Sequence, residues 1–419
     1  MIKFRIHFLG GAMEVGKSAF LIESEDASVM LDFGVKLTEP PTYPQVPKNV
    51  DAIVLSHCHL DHSGGIPILH KSAKVPVYAT DITLELARLL QLDSLKISTM
   101  RGFPSPYTEE DIERMHPDEV PVDFNSSRKI GRNVKFELTR AGHIPGSAAV
   151  LMELDGRRLL YTGDINTSDT LLMAAGSVPE ADMLILESTY GDRDHPPREE
   201  TERKFLERIK TTLVGGGVAL VPAFGVGRSQ EMLLLLQNLE YPVYLDGMAK
   251  TATTLMLEYP EYLRDPDELQ KAAENAVWIR NNRDRKDAIR QPCAIVTTAG
   301  MLTGGPVVKY IQLLNKNKKN SITLTGYQVE GTNGRLLLES GYIIDEMTNR
   351  KVKVRLDVEK FDFSAHADHK DILRIVKDVN PENVALVHGD PQVIETLAKE
   401  LTPNHKVYTP EVGTTVDIR

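Results

Sequence analysis

The stretch H-C-H-L-D-H at positions 57–62 places four metal-ligand side chains, His57, His59, Asp61 and His62, within six residues. Nothing else in the 419-residue chain limits its fold so strongly. On a loop leaving the β-rich run "AIVLS", this spacing lets His57 and His59 face one ion while Asp61 and His62 face another. Gly64 and Gly65 permit the tight backbone that follows. Imidazoles combined with a carboxylate suit zinc, and ligand type leaves manganese or iron open. Four ligands cannot complete two sites, so the fold must bring others in from a distance. Three further stretches each end a strand-like run with a polar residue in a glycine-bounded turn: His143 in "AGHIPGS", Asp164 in "YTGDIN" and His388 in "LVHGD". Strand ends of this kind line clefts, and their glycines let backbone approach an ion closely.

The length suggests two or three domains. No apolar run approaches the roughly 18 residues of a membrane span, so no membrane is expected as partner. The opening apolar run is too short and broken for a secretory signal. The two cysteines, Cys58 and Cys293, are too few for a disulfide framework, and a cytoplasmic location is expected. A formal net charge of −10 argues against a protein that coats nucleic acid through a broad basic face. It leaves room for a nucleic-acid enzyme whose positive charge is concentrated in one cleft.

Along the first third, short β-rich runs such as "SAFLIES", "SVMLDFG" and "DAIVLSH" alternate with turn signals and read as strands. "DITLELARLLQLDSL" (81–95) has helical spacing, and Asp155–Gly156 marks a hairpin into residues 157–164. After about residue 191, helix and strand alternate, which predicts a mostly parallel sheet flanked by helices. The C-terminal "HKVYTPEVGTTVDI" reads as two short strands, and an exposed edge strand offers a route to a homodimer.

"SHCHLDHSGG", followed by the isolated His143, Asp164 and His388, resembles the metallo-β-lactamase superfamily. That resemblance implies two Zn2+ ions, one held by His57, His59 and His143 and the other by Asp61, His62 and His388, with Asp164 bridging. Asp32 in "MLDFG" matches the family's first motif, and its implied part is to orient ligands and loop. The long stretch between Asp164 and His388 has room for a whole inserted domain. This insertion and its flanking motifs resemble the β-CASP nucleases: Glu187 in "LILESTYGD" fits motif A, His366 in "FSAHAD" motif B, and His388 motif C. "VPAFGVGRSQEMLLLL", "TTAGMLTGGP" and "GYQVEGTNGR" are similar to the same family, so the likeness spans essentially the whole chain.

The implied fold class is α/β: a metallo-β-lactamase αββα sandwich with an inserted β-CASP α/β domain. The expected boundaries are 1–190 and 361–419 for the hydrolase domain and 191–360 for the insertion. Within the family, histidine at motif C favours RNA over DNA. Glutamate at motif A followed by "STYGDR" is closer to the cleavage and polyadenylation specificity factor group, in archaeal or bacterial form, than to the RNase J group. The implied partner is single-stranded RNA, with further proteins of an RNA-processing complex. The implied activity is chiefly endonucleolytic, with 5′-to-3′ exonuclease action as a second mode.

The chemistry has its own logic. Two metals lower the pKa of a bound water toward about 7 and stabilise charge on the attacked group. Attack on phosphorus then requires a proton for the departing ribose 3′-oxygen, and a histidine held by a carboxylate is the usual donor. His366 and Glu187 supply that pair, leaving 5′-phosphate and 3′-hydroxyl ends. A small-molecule hydrolase, such as a thioesterase or lactonase, needs neither this pair nor the insertion. A non-catalytic RNA-processing scaffold would not need seven ligand positions.

Within the insertion, Gly227, Arg228 and Ser229 open a helix whose N-terminus suits a phosphate. Thr303, Gly305, Gly331 and Thr332 lie in turns that are weaker candidates for the RNA path. In "SAHADH" (364–369), Asp368 reads as an N-cap with Asp371 three positions on, and His369 falls in the first helical turn, away from metal.

Overall fold

The computed structural model describes residues 3–71, 73–345 and 350–419. It divides into two compact units, one comprising Met1–Asp169, Ala174–Asp194 and Ala365–Arg419, the other Thr170–Met173 and His195–Ser364. Both junctions lie four residues beyond the positions expected from sequence, and Thr170–Met173 joins the second unit.

The first unit holds two seven-stranded sheets. One runs in the order Thr415–Ile418, Phe4–Gly10, Ala19–Glu23, Ser28–Leu31, Ala52–Val54, Val77–Ala79, Glu119–Pro121. The other runs Lys406–Tyr408, Asn383–Val387, Met183–Glu187, Arg157–Tyr161, Ala148–Leu154, Val134–Arg140, Arg128–Ile130. Period-two patterning creates the layer between them: Phe4, Ile6 and Phe8 point inward from one strand and meet Phe136, Met152 and Tyr161 from the other sheet. On the second sheet's outer face, Leu184, Leu186 and Leu386 pack beneath the helices His369–Val379 and Pro391–Leu401. The central strand Met183–Glu187 is buried throughout, as a strand covered on both faces must be.

Local signals hold closely. Asp155 and Gly156 take φ of 49° and 80°, the left-handed pair that a two-residue hairpin needs. The first long helix runs Asp81–Arg101, six residues beyond the expected end, and stops at Gly102 in the left-handed conformation. Asp368 caps His369–Val379, its side chain accepting from Asp371 N at 3.0 Å. The two short C-terminal strands do not pair with each other. Each extends the edge of a different sheet.

In the second unit, six strands stand in the order Val277–Trp278, Val243–Asp246, Cys293–Thr297, Val218–Pro222, Ser321–Leu324, Asp357–Lys360. Every pairing among them is parallel. A separate antiparallel pair joins Tyr342–Asp345 to Arg350–Lys353.

Candidate metal centre

The strands deliver the polar residues to one end of the first unit. Arg157–Tyr161, Met183–Glu187 and Asn383–Val387 are parallel neighbours, so Asp164, Glu187 and His388 leave or end them on the same side. Val134–Arg140 reaches Arg157–Tyr161 through two antiparallel pairings, so it points the same way and is followed by His143. In the other sheet, Ala52–Val54 leads to His57 and its parallel neighbour Ser28–Leu31 leads to Asp32. Only tight backbone closes such a centre. A Cβ on Gly34 would lie 1.8 Å from Asp61 O, so no other residue fits there.

His57, His59, His143 and Asp164 form one cluster of potential ligand atoms. His59 Nδ1 is 3.2 Å from His57 Nε2 and 3.1 Å from His143 Nε2. Asp164 Oδ2 is 3.5 Å from His57 Nε2 and 3.6 Å from His143 Nε2. The corners of a tetrahedron with zinc–ligand bonds of 2.0–2.1 Å lie about 3.3 Å apart, and these four separations fall close to that spacing. The other ring nitrogens fix the tautomers: His143 Nδ1 donates to Ala365 O at 2.8 Å, and His57 Nδ1 faces Ser56 Oγ at 3.1 Å.

Asp61, His62 and His388 form a second cluster. His388 Nε2 lies 3.2 Å from Asp61 Oδ2, and His62 Nε2 lies 3.3 Å from Asp164 Oδ1. Among the described residues, His62 Nε2 and Asp164 Oδ1 are buried with no hydrogen-bond partner, which is costly unless a cation sits between them. Asp164 stands between the two clusters, its Oδ2 facing His57 and His143 and its Oδ1 facing His62 and His388, and together they fit a dinuclear metal site.

Asp32 stands behind this centre, fully buried, with φ of 56°. Its carboxylate accepts from Ser56 N, Ser56 Oγ, His62 Nδ1 and Tyr161 OH, each at 2.7 Å. It reaches the second cluster only through His62. His388 also has a left-handed backbone, φ 50°, and its N–H donates to Gly11 O at 2.7 Å. Non-glycine residues hold this conformation only where the surroundings enforce it.

Glu187 and His366 meet beside the shared aspartate. His366 Nδ1 lies 3.0 and 2.9 Å from the two Glu187 oxygens and 4.0 Å from Asp164 Oδ2. Ile165 N donates to Glu187 Oε1 at 2.8 Å and Thr189 Oγ1 donates to Oε2 at 2.6 Å. Burial pulls the His366 imidazole down, but the charges of Glu187 and Asp164 and the Glu187 hydrogen bond outweigh it, raising the pKa to about 9. Burial likewise holds His57, His59 and His143 below the usual histidine range. For His62 and His388 the same burial is overcome, chiefly by Asp164, and both are raised.

Sequence reasoning missed several supports. Thr189 joins Glu187 to His388, whose carbonyl lies 3.2 Å from its hydroxyl. The Tyr161 hydroxyl and the Ala365 carbonyl set the orientation of Asp32 and His143, and Gly11 holds the His388 backbone. No ligand-like pattern in the sequence marks these groups. His369 Nδ1 donates to Gly191 O at 2.7 Å and takes no part in either cluster.

The candidate RNA residues of the insertion all belong to the second unit. Gly227 precedes the helix Arg228–Leu236 with φ of 84°. Arg228 pairs with the buried Glu231, which also binds Arg198, and Ser229 Oγ donates to Phe224 O at 2.6 Å. Gly305 (φ 70°) and Gly331 (φ 82°) make turns. Thr303 Oγ1 lies 3.3 Å from Met301 O, and Thr332 caps the helix Asn333–Ser340. The local structure thus gives most of these residues a folding role.

The sequence also matches described families and proteins. Residues 13–244 match the family model described as the metallo-beta-lactamase superfamily, residues 229–337 the Beta-Casp domain, and residues 351–410 the Zn-dependent metallo-hydrolase RNA specificity domain. The chain is 39% identical to Probable RNase MJ4 of Methanocaldococcus jannaschii, over 99% of this chain and 100% of that protein. It is 37% identical to RNase aCSPSF2 of Saccharolobus solfataricus, covering 100% of this chain and 86% of the relative. It is also 37% identical to Transcription termination factor FttA of Methanocaldococcus jannaschii, covering 92% of this chain and 67% of that one. Among solved structures, a protein of unknown function from Enterococcus faecalis V583 superposes with a TM-score of 0.63. It covers 99% of this chain and 100% of its own at 16% identity, which is a likeness of fold alone.

Proposed function

The chain belongs to the β-CASP group of the metallo-β-lactamase superfamily, and from that membership we propose that it is a metal-dependent ribonuclease leaving 5′-phosphate and 3′-hydroxyl ends. The observation that carries this reading is the Glu187–His366 pair beside Asp164. Lactam, ester and thioester hydrolysis does not call for a second buried acid pair next to the metal cluster. Phosphodiester cleavage does, because a ribose alkoxide leaves poorly without a proton.

Two bound zinc ions would supply an activated water and would offset charge on the attacked phosphate. His57, His59, His143 and Asp164 would hold one, and Asp61, His62, His388 and Asp164 the other. Glu187 accepts the Nδ1 proton of His366, which leaves the ring's other nitrogen to give its proton to the departing 3′-oxygen. Ile165 N–H and the Thr189 hydroxyl keep the carboxylate in place while that transfer occurs. Asp32 keeps His62 in the tautomer that turns Nε2 toward Asp164.

The substrate is single-stranded RNA cut at internal bonds. A cytoplasmic setting agrees with Cys58 and Cys293 being free and buried. No helix among the described residues is long and apolar enough to cross a membrane. We also infer self-association, since Lys406–Tyr408 and Thr415–Ile418 each stand at a sheet edge.

The test is to incubate end-labelled RNA and a DNA of the same sequence with the protein, with and without a chelator. Metal-dependent cleavage of the RNA is expected. Robust ester hydrolysis without RNA cleavage would sink the reading.

A further inference from the structure

The sequence "STYGDR" continues past the acid pair and places one cation where the mechanism has no use for it. Tyr190 is 4% exposed, and its ring centroid lies 6.0 Å from that of His366. The Arg193 guanidinium lies over the other aromatic partner, its Cζ 4.7 Å from the Tyr190 centroid. Arg193 remains half exposed, and among the described residues the carboxylate paired with it is its sequence neighbour Asp192, at 3.0 Å. A pair of adjacent exposed residues is worth little in water. Asp194 on the other side is engaged by Lys370. Stacking on a buried ring leaves the guanidinium fork pre-oriented and still able to make bidentate bonds to an anion.

Tyr190 contacts both His366 and Arg193, so the guanidinium is one ring removed from the group that serves the departing 3′-oxygen, and the next charged linkage on that leaving strand is the one on the 5′ side of the cut. We infer that Arg193, seated on Tyr190, binds the RNA phosphate immediately 5′ to the scissile one and thereby sets the register of the strand at the metals. This inference rests on the ribonuclease reading. It adds a contact within the first unit that requires a charged linkage upstream of the cut.

The test uses a short RNA with one mapped internal cleavage site, made both intact and with a neutral methylphosphonate at the linkage just 5′ to that site. The wild-type protein should lose about tenfold to a hundredfold in kcat/KM on the modified RNA, the range for a lost hydrogen bond to a charged group. Arg193→Ala should show a similar loss on intact RNA, mainly in KM, and little further loss on the modified one. Arg193→Lys should fall between, because it keeps the charge without the fork. Metal content and thermal midpoint of Arg193→Ala should match the wild type. If Arg193→Ala still discriminates fully between the two RNAs, or loses metal or stability instead, the inference is overturned. If the wild type leaves intact RNA uncut, the ribonuclease reading itself has failed and this inference falls with it.

Discussion

The Nδ1 nitrogen of His366 sits almost equidistant from the two carboxylate oxygens of Glu187, at 3.0 and 2.9 Å, although 179 residues separate them. Glu187 ends a central strand, whereas His366 precedes a capped helix, and the carboxylate is fixed from behind by Ile165 N–H and Thr189 Oγ1. The imidazole is therefore held by one edge, with its charge favoured and its orientation set.

This pair fixes the alkaline side of the pH profile. With His366 as the proposed donor, activity should fall as pH rises through its pKa, which Glu187 and Asp164 raise to about 9 and which bound cations would lower. Glu187→Gln removes a raising charge and should move that limb down by at least about one unit. A rate profile between pH 6 and 10 reads it. An unmoved limb would detach Glu187 from His366 titration.

His366→Ala should keep both metals and lose about 10²- to 10⁴-fold in cleavage, the usual range for a lost general acid. Metal analysis of the purified variant alongside single-turnover rates separates the two roles. Loss of one metal equivalent would make His366 a ligand, as its grouping with Asp164 and Glu187 permits.

The two clusters should load at different pH. Burial keeps His57, His59 and His143 neutral and ready to bind, while Asp164 favours the protonated forms of His62 and His388, which must lose protons first. Calorimetric zinc titration of the metal-free protein across a pH series should show the second equivalent binding only at higher pH than the first, with more proton release in the second step. Equal loading of both equivalents across the series would contradict this order.

Asp32→Ala leaves four buried donors without their acceptor. It should destabilise the protein by about 3–5 kcal/mol, as removal of one partner from a buried charged pair does. Zinc affinity at the Asp61–His62–His388 cluster should drop about 10- to 100-fold, with the other cluster less affected. Denaturant midpoints taken with and without zinc would separate the fold effect from the metal effect.

Much of this centre is legible from side-chain identity, because ligands must be specific residue types. His57, His59, Asp61, His62, His143, Asp164 and His388 stand out as polar residues at the ends of apolar runs, and they gather at one end of the first unit. The Asp368 cap is legible for the same reason, since capping depends on side-chain chemistry. What escapes is support from groups with no distinctive identity. The Ala365 carbonyl that orients His143 and the Gly11 carbonyl that holds His388 would be the same for almost any residue. Thr189 resembles any turn threonine until the strand ends converge on it. The separation of the terminal strands into two sheets is equally hidden, because an edge strand carries no mark of its partner.

Met183–Glu187 and Asn383–Val387 are paired residue for residue, from Met183 opposite Asn383 to Glu187 opposite Val387. The long segment His195–Ser364 of the second unit is thus strung between two adjacent strands, and the last candidate ligand, His388, follows it in the chain. Synthesis from the N-terminus makes six of the seven candidate ligands before the segment His195–Ser364 and the seventh only after it. Until Asn383–Val387 has been made, a growing chain therefore lacks one side of the Asp61–His62–His388 cluster, and this order of assembly is written into the order of the strands.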